Sequence, residues 1–407
     1  MPRLAHRALL PGVLAALLVG IATTPSHAES IRSQQWHLTA MKAEEMWKTT
    51  KGEGVTVAVI DSGVDDNNPD LVGQVLPGKD LAVGTRGDEH TDYDGHGTGM
   101  AGLIAGTGKS GGGDGAFGLA PGAKILPIRM PNLGLNAPRH TKEFNQAVSS
   151  GIRYAADTGA RVINISLGSR AGSKQLAEAV SYALDRGSLV FAAVGNSGDE
   201  GNPVEYPAAT PGVLGVGAVG QDLQKTAESQ YGPQVDLAAP GTGLVHACGI
   251  ETGLCEAHGT SGATAIASAS AALIWSHHPE WTNNQVLRVM LNTAAGPTSG
   301  AKRNDYIGYG VVRPRIALKT PGDPGPADEY PLSDLAAAEP KSPSPKGSES
   351  AGAKSEDKQA AAVPAREDDS DTALWITLGV GAAALLGTAI AVPVVRARRR
   401  NMTFIGQ

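Results

Sequence analysis

The sequence predicts an α/β fold with a doubly wound, mostly parallel sheet and helices on both faces. The predicted strands are short and rich in Val, Ile, Leu and Ala, with little of the polar alternation seen in half-exposed strands. They are residues 55–60, 124–128, 161–165, 188–194 and 213–219. Segments of helical length and pattern are residues 141–158, 174–186, 261–277 and 283–295. This alternation of strands and helices predicts parallel pairing through crossover helices.

The amino terminus has the pattern of an export signal. Arg3 and Arg7 precede an apolar run at residues 8–22, and Ser26-His27-Ala28 has the small residues of a cleavage site. We therefore expect a signal peptide at residues 1–28 that is cut after Ala28, with an uncleaved membrane anchor as the alternative.

The carboxyl-terminal residues 321–407 divide into three predicted parts. Residues 321–372 are rich in Pro, Ala, Ser, Lys and Glu, which predicts a disordered spacer. Residues 373–395 carry no charge, and about 23 residues suffice for one transmembrane helix. Arginines begin the tail at residues 396–407, so the positive-inside rule predicts a cytoplasmic carboxyl terminus and an extracellular domain at residues 29–320. A buried core helix is the alternative for the apolar segment.

Composition argues against nucleic-acid binding and predicts a disulfide. The chain of 407 residues has a net charge of −6 and only 4% aromatic residues, which argues against binding nucleic acid. Its two cysteines, Cys248 and Cys255, are close together, and in an exported chain such a pair predicts a disulfide. Closing so short a loop stabilises by roughly 2–3 kcal/mol in the chain-entropy model. Two free thiols are the alternative.

Four polar residues lie where a predicted strand ends or a helix begins. Asp61 follows the strand VTVAVI, His96 begins a run of small residues, Asn196 follows SLVFAAVG, and Ser261 begins the helix in HGTSGATAIAS. A doubly wound sheet gathers such positions at the carboxyl ends of its strands. Each residue also has a purely structural interpretation: a turn cap for Asp61, a histidine between glycines for His96, an Asn-Ser-Gly turn for Asn196, and close helix packing around Ser261.

Together, these residue types predict nucleophilic catalysis. A serine hydroxyl needs a base within hydrogen-bond reach, which a histidine supplies, and a carboxylate behind the histidine fixes its tautomer. Asn196 and a backbone N–H at the helix start would donate to the oxyanion. We therefore expect Asp61, His96 and Ser261 to form a triad.

The same segments resemble those of the subtilisin-like serine peptidases. VAVIDSGVD, DGHGTGMAG, AAVGNSG and HGTSGATAIAS are similar to the family's aspartate, histidine, oxyanion and serine motifs, in that order. NISLGS resembles the strand that lines the substrate cleft, which implies that Ser166, Leu167 and Gly168 form one edge of it. The resemblance implies a subtilisin-like fold and an extracellular serine endopeptidase that acts on proteins or peptides.

The layout of the chain is most similar to the mycosins, membrane-anchored subtilases associated with type VII secretion. That resemblance implies a single-pass protein of the bacterial cell membrane, with a membrane-embedded secretion complex as partner. The alternative is a scaffold in such a complex that needs little or no proteolysis. Gly262 and Ala265 depart from the family's serine motif, where a larger residue and a proline are usual. We expect the helix to survive and the cleft wall to widen.

No cofactor is expected for this chemistry, and no metal site is predicted. Side chains of metal-binding types cluster at Asp88, Glu89, His90, Asp92, Asp94 and His96. Fixed ligand geometry is not indicated in this glycine-containing stretch, so a solvated acidic loop is the preferred interpretation. Weak binding of structural calcium by oxygen-rich loops stays open.

Overall fold

The computed structural model describes residues 30–132, 138–249 and 253–338. Within these residues, the main sheet is parallel throughout. Its strands lie in the order β2-β3-β1-β4-β5-β6-β7. They are β1 (Thr56–Asp61), β2 (Lys79–Asp80), β3 (Lys124–Arg129), β4 (Val162–Ile165), β5 (Leu189–Ala193), β6 (Val213–Val219) and β7 (Leu237–Pro240). The predicted parallel α/β class is confirmed, and each of the five predicted strands begins and ends within one residue of its predicted bounds.

Helices cover both faces of the sheet. The amino-terminal helices are α1 (Ile31–Gln34), α2 (Trp36–Met41) and α3 (Ala43–Met46). The central ones are α4 (His96–Ala105), α5 (Pro138–Asp157), α6 (Lys174–Asp185) and α7 (Thr260–His277), followed by α8 (Asn283–Thr293), α9 (Pro314–Lys319) and α10 (Asp334–Ala338). Helices α4 and α7 share one core layer, while α5 and α6 share the other.

The side chains of β1 show why its sequence is continuously apolar. Val57 and Val59 belong to the core under α4 and α7, whereas Ala58 and Ile60 belong to the core under α5 and α6. Successive side chains of a strand point to opposite faces, so a strand covered on both sides has no place for polar residues. After the half-buried Thr56 at its start, the next polar side chain of the strand is Asp61, its last residue.

The predicted disulfide is present and closes a hairpin outside the main sheet. Strands β8 (Leu244–Ala247) and β9 (Leu254–Ala257) pair antiparallel, and the Cα atoms of Cys248 and Cys255 are 5.8 Å apart. Residues 250–252 lie outside the described residues. The hairpin leads directly into α7, so the disulfide restrains the segment that carries Ser261.

The carboxyl-terminal segment corrects one predicted boundary. Residues 321–338 pack on the domain, where Leu332 is buried in the core and the Arg288 guanidinium donates to the carbonyl oxygens of Pro324 and Glu329. The disordered spacer predicted from residue 321 is therefore wrong for this part. Backbone carbonyls hold much of the segment, and composition does not reveal such contacts.

Several predicted segments lie outside the described residues. They are the signal peptide at 1–28, the remainder of the spacer, the transmembrane helix at 373–395 and the tail at 396–407. Within the described part of the chain, no helix has both the length and the apolar character needed to cross a membrane.

Candidate active site

Asp61 lies at the point where the strand order of the sheet reverses. Its strand, β1, pairs with β3 on one side and with β4 on the other, and such a switch point opens a crevice beyond the carboxyl ends of the strands. The Asp61 side chain is fully buried, and its Oδ1 accepts a hydrogen bond of 2.8 Å from the Ser62 N–H. The strand end thus fixes a carboxylate at the floor of the crevice.

His96 is the first residue of α4 and meets this carboxylate. Its Nδ1 lies 2.7 Å from Asp61 Oδ1. Because a carboxylate only accepts, Nδ1 carries a proton and Nε2 is the atom that can exchange one. The His96 side chain is 35% exposed and that of Asp61 is 0% exposed, so the imidazole separates the buried charge from solvent.

The surrounding carboxylates control the protonation of His96. Asp61 raises the pKa of His96, and Asp94 and Asp92 raise it further, while burial opposes them. The imidazolium is therefore well stabilised at this position, which is what a base requires after it has accepted a proton.

Ser261 is the second residue of α7, because the helix begins at Thr260, one residue before the predicted start. The helix begins after Gly259, whose φ of +99° is in the left-handed region, and a Cβ there would lie 2.8 Å from Asn196 Oδ1. Ser261 Oγ donates to the carbonyl oxygen of Ser166 at 3.1 Å. No hydrogen bond joins Ser261 to His96, although both are described residues. The hydroxyl must rotate away from Ser166 to reach the imidazole.

Asn196 is oriented by Thr260, a residue that sequence reasoning missed. Asn196 Oδ1 accepts from the Thr260 N–H at 2.8 Å and from Thr260 Oγ1 at 3.0 Å. With its oxygen held at the start of α7, the Asn196 side chain keeps its Nδ2 hydrogens for donation to another group. Thr260 is fully buried and precedes Ser261, and the signal that could have found it is its place in the motif GTS.

A second polar connection inside the core was also missed. Asn164, fully buried in β4, donates from Nδ2 to Ser166 Oγ at 3.1 Å and accepts from Ser268 Oγ at 3.0 Å. Ser166 Oγ in turn donates to the Ser261 carbonyl oxygen at 3.1 Å. These bonds tie β4 to α7 and fix the separation of the cleft strand from the serine. An asparagine inside an otherwise apolar strand was the available signal.

One cavity of about 470 Å³ joins the predicted residues. His96, Asn196 and Ser261 line it, and Ser166, Leu167 and Gly168 form part of its wall. Its lining also includes charged side chains that were not predicted to belong to a cleft: Asp94, Arg170 and Glu205. Asp61 is behind His96 and does not line the cavity.

Gly262 and Ala265 have a different effect from the one expected. Helix α7 runs unbroken from Thr260 to His277 and Ala265 is buried in the core, so the helix survives without the proline. Gly262 does not widen the cleft wall, because it faces the hairpin: a Cβ there would lie 2.7 Å from Leu244 Cδ1. Its small size serves packing.

The acidic loop before α4 is organised by hydrogen bonds. Asp92 accepts from the Thr98 N–H at 2.8 Å, from the Gly95 N–H at 2.9 Å and from Ser62 Oγ at 2.7 Å. Among the described residues, no group of three or more His, Cys, Asp or Glu side chains is arranged to hold a metal ion. Asp92 therefore has a clear role as the anchor of the helix that carries His96.

Fold and site together define a serine endopeptidase. The chain belongs to the subtilase family, whose model matches residues 52–310. Thermitase of Thermoactinomyces vulgaris is 35% identical over 268 residues, which cover 66% of this chain and 90% of thermitase.

Solved structures of type VII secretion proteins are also similar to this chain. MycP1 of Mycobacterium smegmatis aligns with a TM-score of 0.64 and 28% identity over 74% of this chain and 88% of that one. A chain of the intact ESX-5 inner membrane complex aligns with a TM-score of 0.63 and 29% identity over 79% of this chain and 86% of that one. The structural neighbours MycP1 and MycP3 are mycosin proteases, and their likeness to this chain supports the mycosin resemblance.

Proposed function

We propose that this chain is a membrane-anchored, extracellular serine endopeptidase of a type VII secretion complex, with Asp61, His96 and Ser261 as its catalytic triad. The observation that carries the proposal is the 2.7 Å contact between His96 Nδ1 and the buried Asp61 carboxylate, with His96 and Ser261 lining the same cavity. The anchoring rests on the apolar residues 373–395, and the complex rests on the likeness to a chain of the ESX-5 inner membrane complex.

The reaction follows from the positions of these atoms. Ser261 Oγ turns from the Ser166 carbonyl to His96 Nε2, gives up its proton there and attacks the peptide carbonyl carbon. Asp61 keeps Nδ1 protonated and balances the imidazolium, which then protonates the leaving amine. Asn196 Nδ2 and the Ser261 N–H donate to the oxyanion, and each such donor typically contributes about 10²–10³ in rate. Water then hydrolyses the acyl-enzyme.

The test is active-site labelling of the full chain purified in detergent. A fluorophosphonate probe should label the wild-type protein on Ser261, located by peptide mass spectrometry, and should not label Ser261→Ala. Ser268→Ala is the matched control, since Ser268 lies on the same helix but binds Asn164 in the core. Labelling that persists in Ser261→Ala, or that is absent from an intact wild-type protein, contradicts the proposed triad.

A scaffold role is the second candidate, and the likeness to a chain of an assembled membrane complex favours it. Cells that carry Ser261→Ala separate the two roles. If assembly of the complex and secretion both continue, scaffolding is the essential contribution. If the complex assembles but secretion or substrate processing stops, proteolysis is the essential contribution.

A further inference from the structure

We propose that Glu205 selects substrates with a lysine or arginine at P1, the residue whose carbonyl Ser261 attacks. This inference rests on the proposed function, because it uses the same cavity and the same nucleophile. It adds a substrate class: peptides and proteins cleaved after a basic residue. Glu205 was not among the residues singled out from the sequence.

The position of Glu205 relative to the nucleophile is the first argument. The attacked carbonyl carbon must lie between Ser261 Oγ and the Asn196 amide, and the P1 side chain leaves from the neighbouring Cα. It therefore enters the cavity that Ser261, Asn196 and Glu205 all line. A carboxylate in this cavity can meet the end of a long P1 side chain.

Two glycines open the way to this carboxylate. A Cβ on Gly168 would lie 2.7 Å from Glu205 Oε2, and a Cβ on Gly195 would lie 2.5 Å from Gln230 Nε2. Both glycines line the cavity, one in the predicted cleft edge and the other beside Asn196. The absence of side chains on both walls leaves space beside the Glu205 carboxylate, which lines the cavity.

Glu205 is held in place as a charged acceptor. Its side chain is only 17% exposed, and Oε1 accepts from Nε2 of the fully buried Gln230 at 3.0 Å. Among the described residues, its other polar contact is Arg170 Nε, 3.6 Å from the same Oε1. Glu205 Oε2, the atom nearest to the Gly168 wall, is thus available to a substrate ammonium or guanidinium group.

Arg170 is a displaceable counter-ion. Its side chain is 57% exposed and its Nε is beyond hydrogen-bond distance from Glu205, so the pair is loose and largely solvated. A P1 cation can take its place while the Arg170 side chain turns into solvent. Among the charged side chains that line the cavity, Glu205 is the one that the loose Arg170 pair leaves open to a substrate cation.

Discrimination comes from the penalty on neutral substrates. An apolar P1 side chain would cover the Glu205 carboxylate and remove water from it without supplying a partner, which is costly. A lysine or arginine offsets the cost of desolvating the carboxylate by donating a charge-assisted hydrogen bond to it. A site with a buried polar group strongly rejects a substrate that has no polar partner for it. An apolar pocket discriminates less strongly between substrates of the same shape.

The test compares fluorogenic peptides that differ only at P1, carrying arginine, lysine, norleucine or glutamine, on the full chain in detergent. We expect kcat/KM for arginine and lysine to exceed that for norleucine by about tenfold or more. In Glu205→Gln this ratio should fall towards one, because the amide keeps the shape but loses the charge. In Arg170→Ala the KM for the basic peptides should fall, because the competing guanidinium is gone.

Glu200→Gln is the matched control, since it removes the same charge from an exposed residue of the same loop that does not line the cavity. It should leave the ratio at the wild-type value. No preference for basic P1 residues in the wild type, or an unchanged preference in Glu205→Gln, overturns the proposal.

Binding to an inactive protein separates this proposal from the triad. Calorimetry on Ser261→Ala should show tighter binding of the arginine peptide than of the norleucine peptide, and Ser261→Ala/Glu205→Gln should lose the difference. If fluorophosphonate labelling fails but this difference is present, the triad is wrong and the Glu205 site stands. If labelling succeeds and binding is indifferent to P1, the triad stands and the Glu205 site is wrong.

Discussion

Three carboxylates, Asp61, Asp94 and Asp92, control the protonation of His96. Asp61 acts most strongly through its contact with Nδ1, and Asp94 and Asp92 act from the loop that precedes the helix. In the proposed reaction, only the neutral imidazole can accept the Ser261 proton. Because all three charges raise the pKa of His96, they move the onset of activity to higher pH than an unperturbed histidine, with a pKa near 6.5, would give.

The charge of Asp94 should therefore be visible in the pH profile. Asp94→Asn keeps an oxygen for the His96 N–H but removes one negative charge, so the pKa of His96 falls. We expect the acidic limb of kcat/KM to move to lower pH, measured with a peptide that has a neutral P1 residue. Asp114→Asn, at an exposed residue outside the cavity, should leave the limb in place. An unshifted limb in Asp94→Asn means that this charge does not act on the base.

At the scale of residues, the sequence predicted the proposed catalytic residues but not the residues that orient them. Asp61, His96, Asn196 and Ser261 were predicted because strand ends and helix starts converge in a doubly wound sheet. Thr260 and Asn164 were missed because their roles depend on which groups face them across the core. Glu205 was missed because its place in the cavity depends on a loop after β5, whose path no periodicity encodes.

Among the elements, α4 shows how a helix start can be fixed from a distance. Its cap residue, Gly95, has no side chain, and the first-turn N–H groups need acceptors. Asp92 supplies one of these acceptors: its Oδ2 accepts from the Thr98 N–H and hydroxyl, while its Oδ1 accepts from the N–H of the cap residue Gly95. A carboxylate also interacts favourably with the amino end of a helix. The same turn carries His96, so the anchor of the helix is also the support of the base.

Removing this anchor should cost stability and activity together. Asp92→Ala leaves the Thr98 and Gly95 N–H groups without their acceptor, and we expect the free energy of unfolding to fall by about 2 kcal/mol. Because His96 begins the loosened turn, kcat should fall as well. Urea unfolding and peptide hydrolysis measure the two effects. Asp88→Ala changes an exposed carboxylate of the same loop, and an equal loss in that variant would contradict the anchoring role.

Helices and strands were predicted correctly where residues close in sequence determine where they start and end. The predicted start of α8 at residue 283 is confirmed, and its cap is local: Thr282 accepts from the Gln285 N–H and Gln285 Oε1 accepts from the Thr282 N–H. The short β7 was missed because it is only Leu237–Pro240. Four residues give too little pattern to separate a strand from a loop.

For the whole domain, the switch between β1 and its two neighbours explains why distant segments form one site. Crossovers leave β3 and β4 on opposite sides of β1, with β5 next to β4. The carboxyl ends of β1, β4 and β5 therefore bring Asp61, residues 166–168 and Asn196 to the same edge of the sheet. The topology follows from the strand–helix alternation in the sequence. The extent of the domain did not follow from it, because residues 321–338 have the composition of a spacer and the contacts of a folded segment.

The stability of this carboxyl-terminal segment can be measured by truncation. A chain that ends at residue 338 retains buried Leu332, the carbonyl acceptors of Arg288, and the bond of 2.6 Å from the Gly212 N–H to Asp334 Oδ2. A chain that ends at residue 320 loses all three. Burying a leucine side chain contributes about 1.5–3 kcal/mol, and each lost hydrogen bond adds about 1 kcal/mol.

We therefore expect the chain that ends at 320 to unfold at a clearly lower urea concentration than the chain that ends at 338. Leu332→Ala in the longer chain should fall between them, because it removes the apolar anchor and keeps the polar ones. Circular dichroism follows the transition in all three proteins. Equal midpoints would mean that the segment adds nothing to the domain, and the predicted spacer would again begin at residue 321 rather than after residue 338.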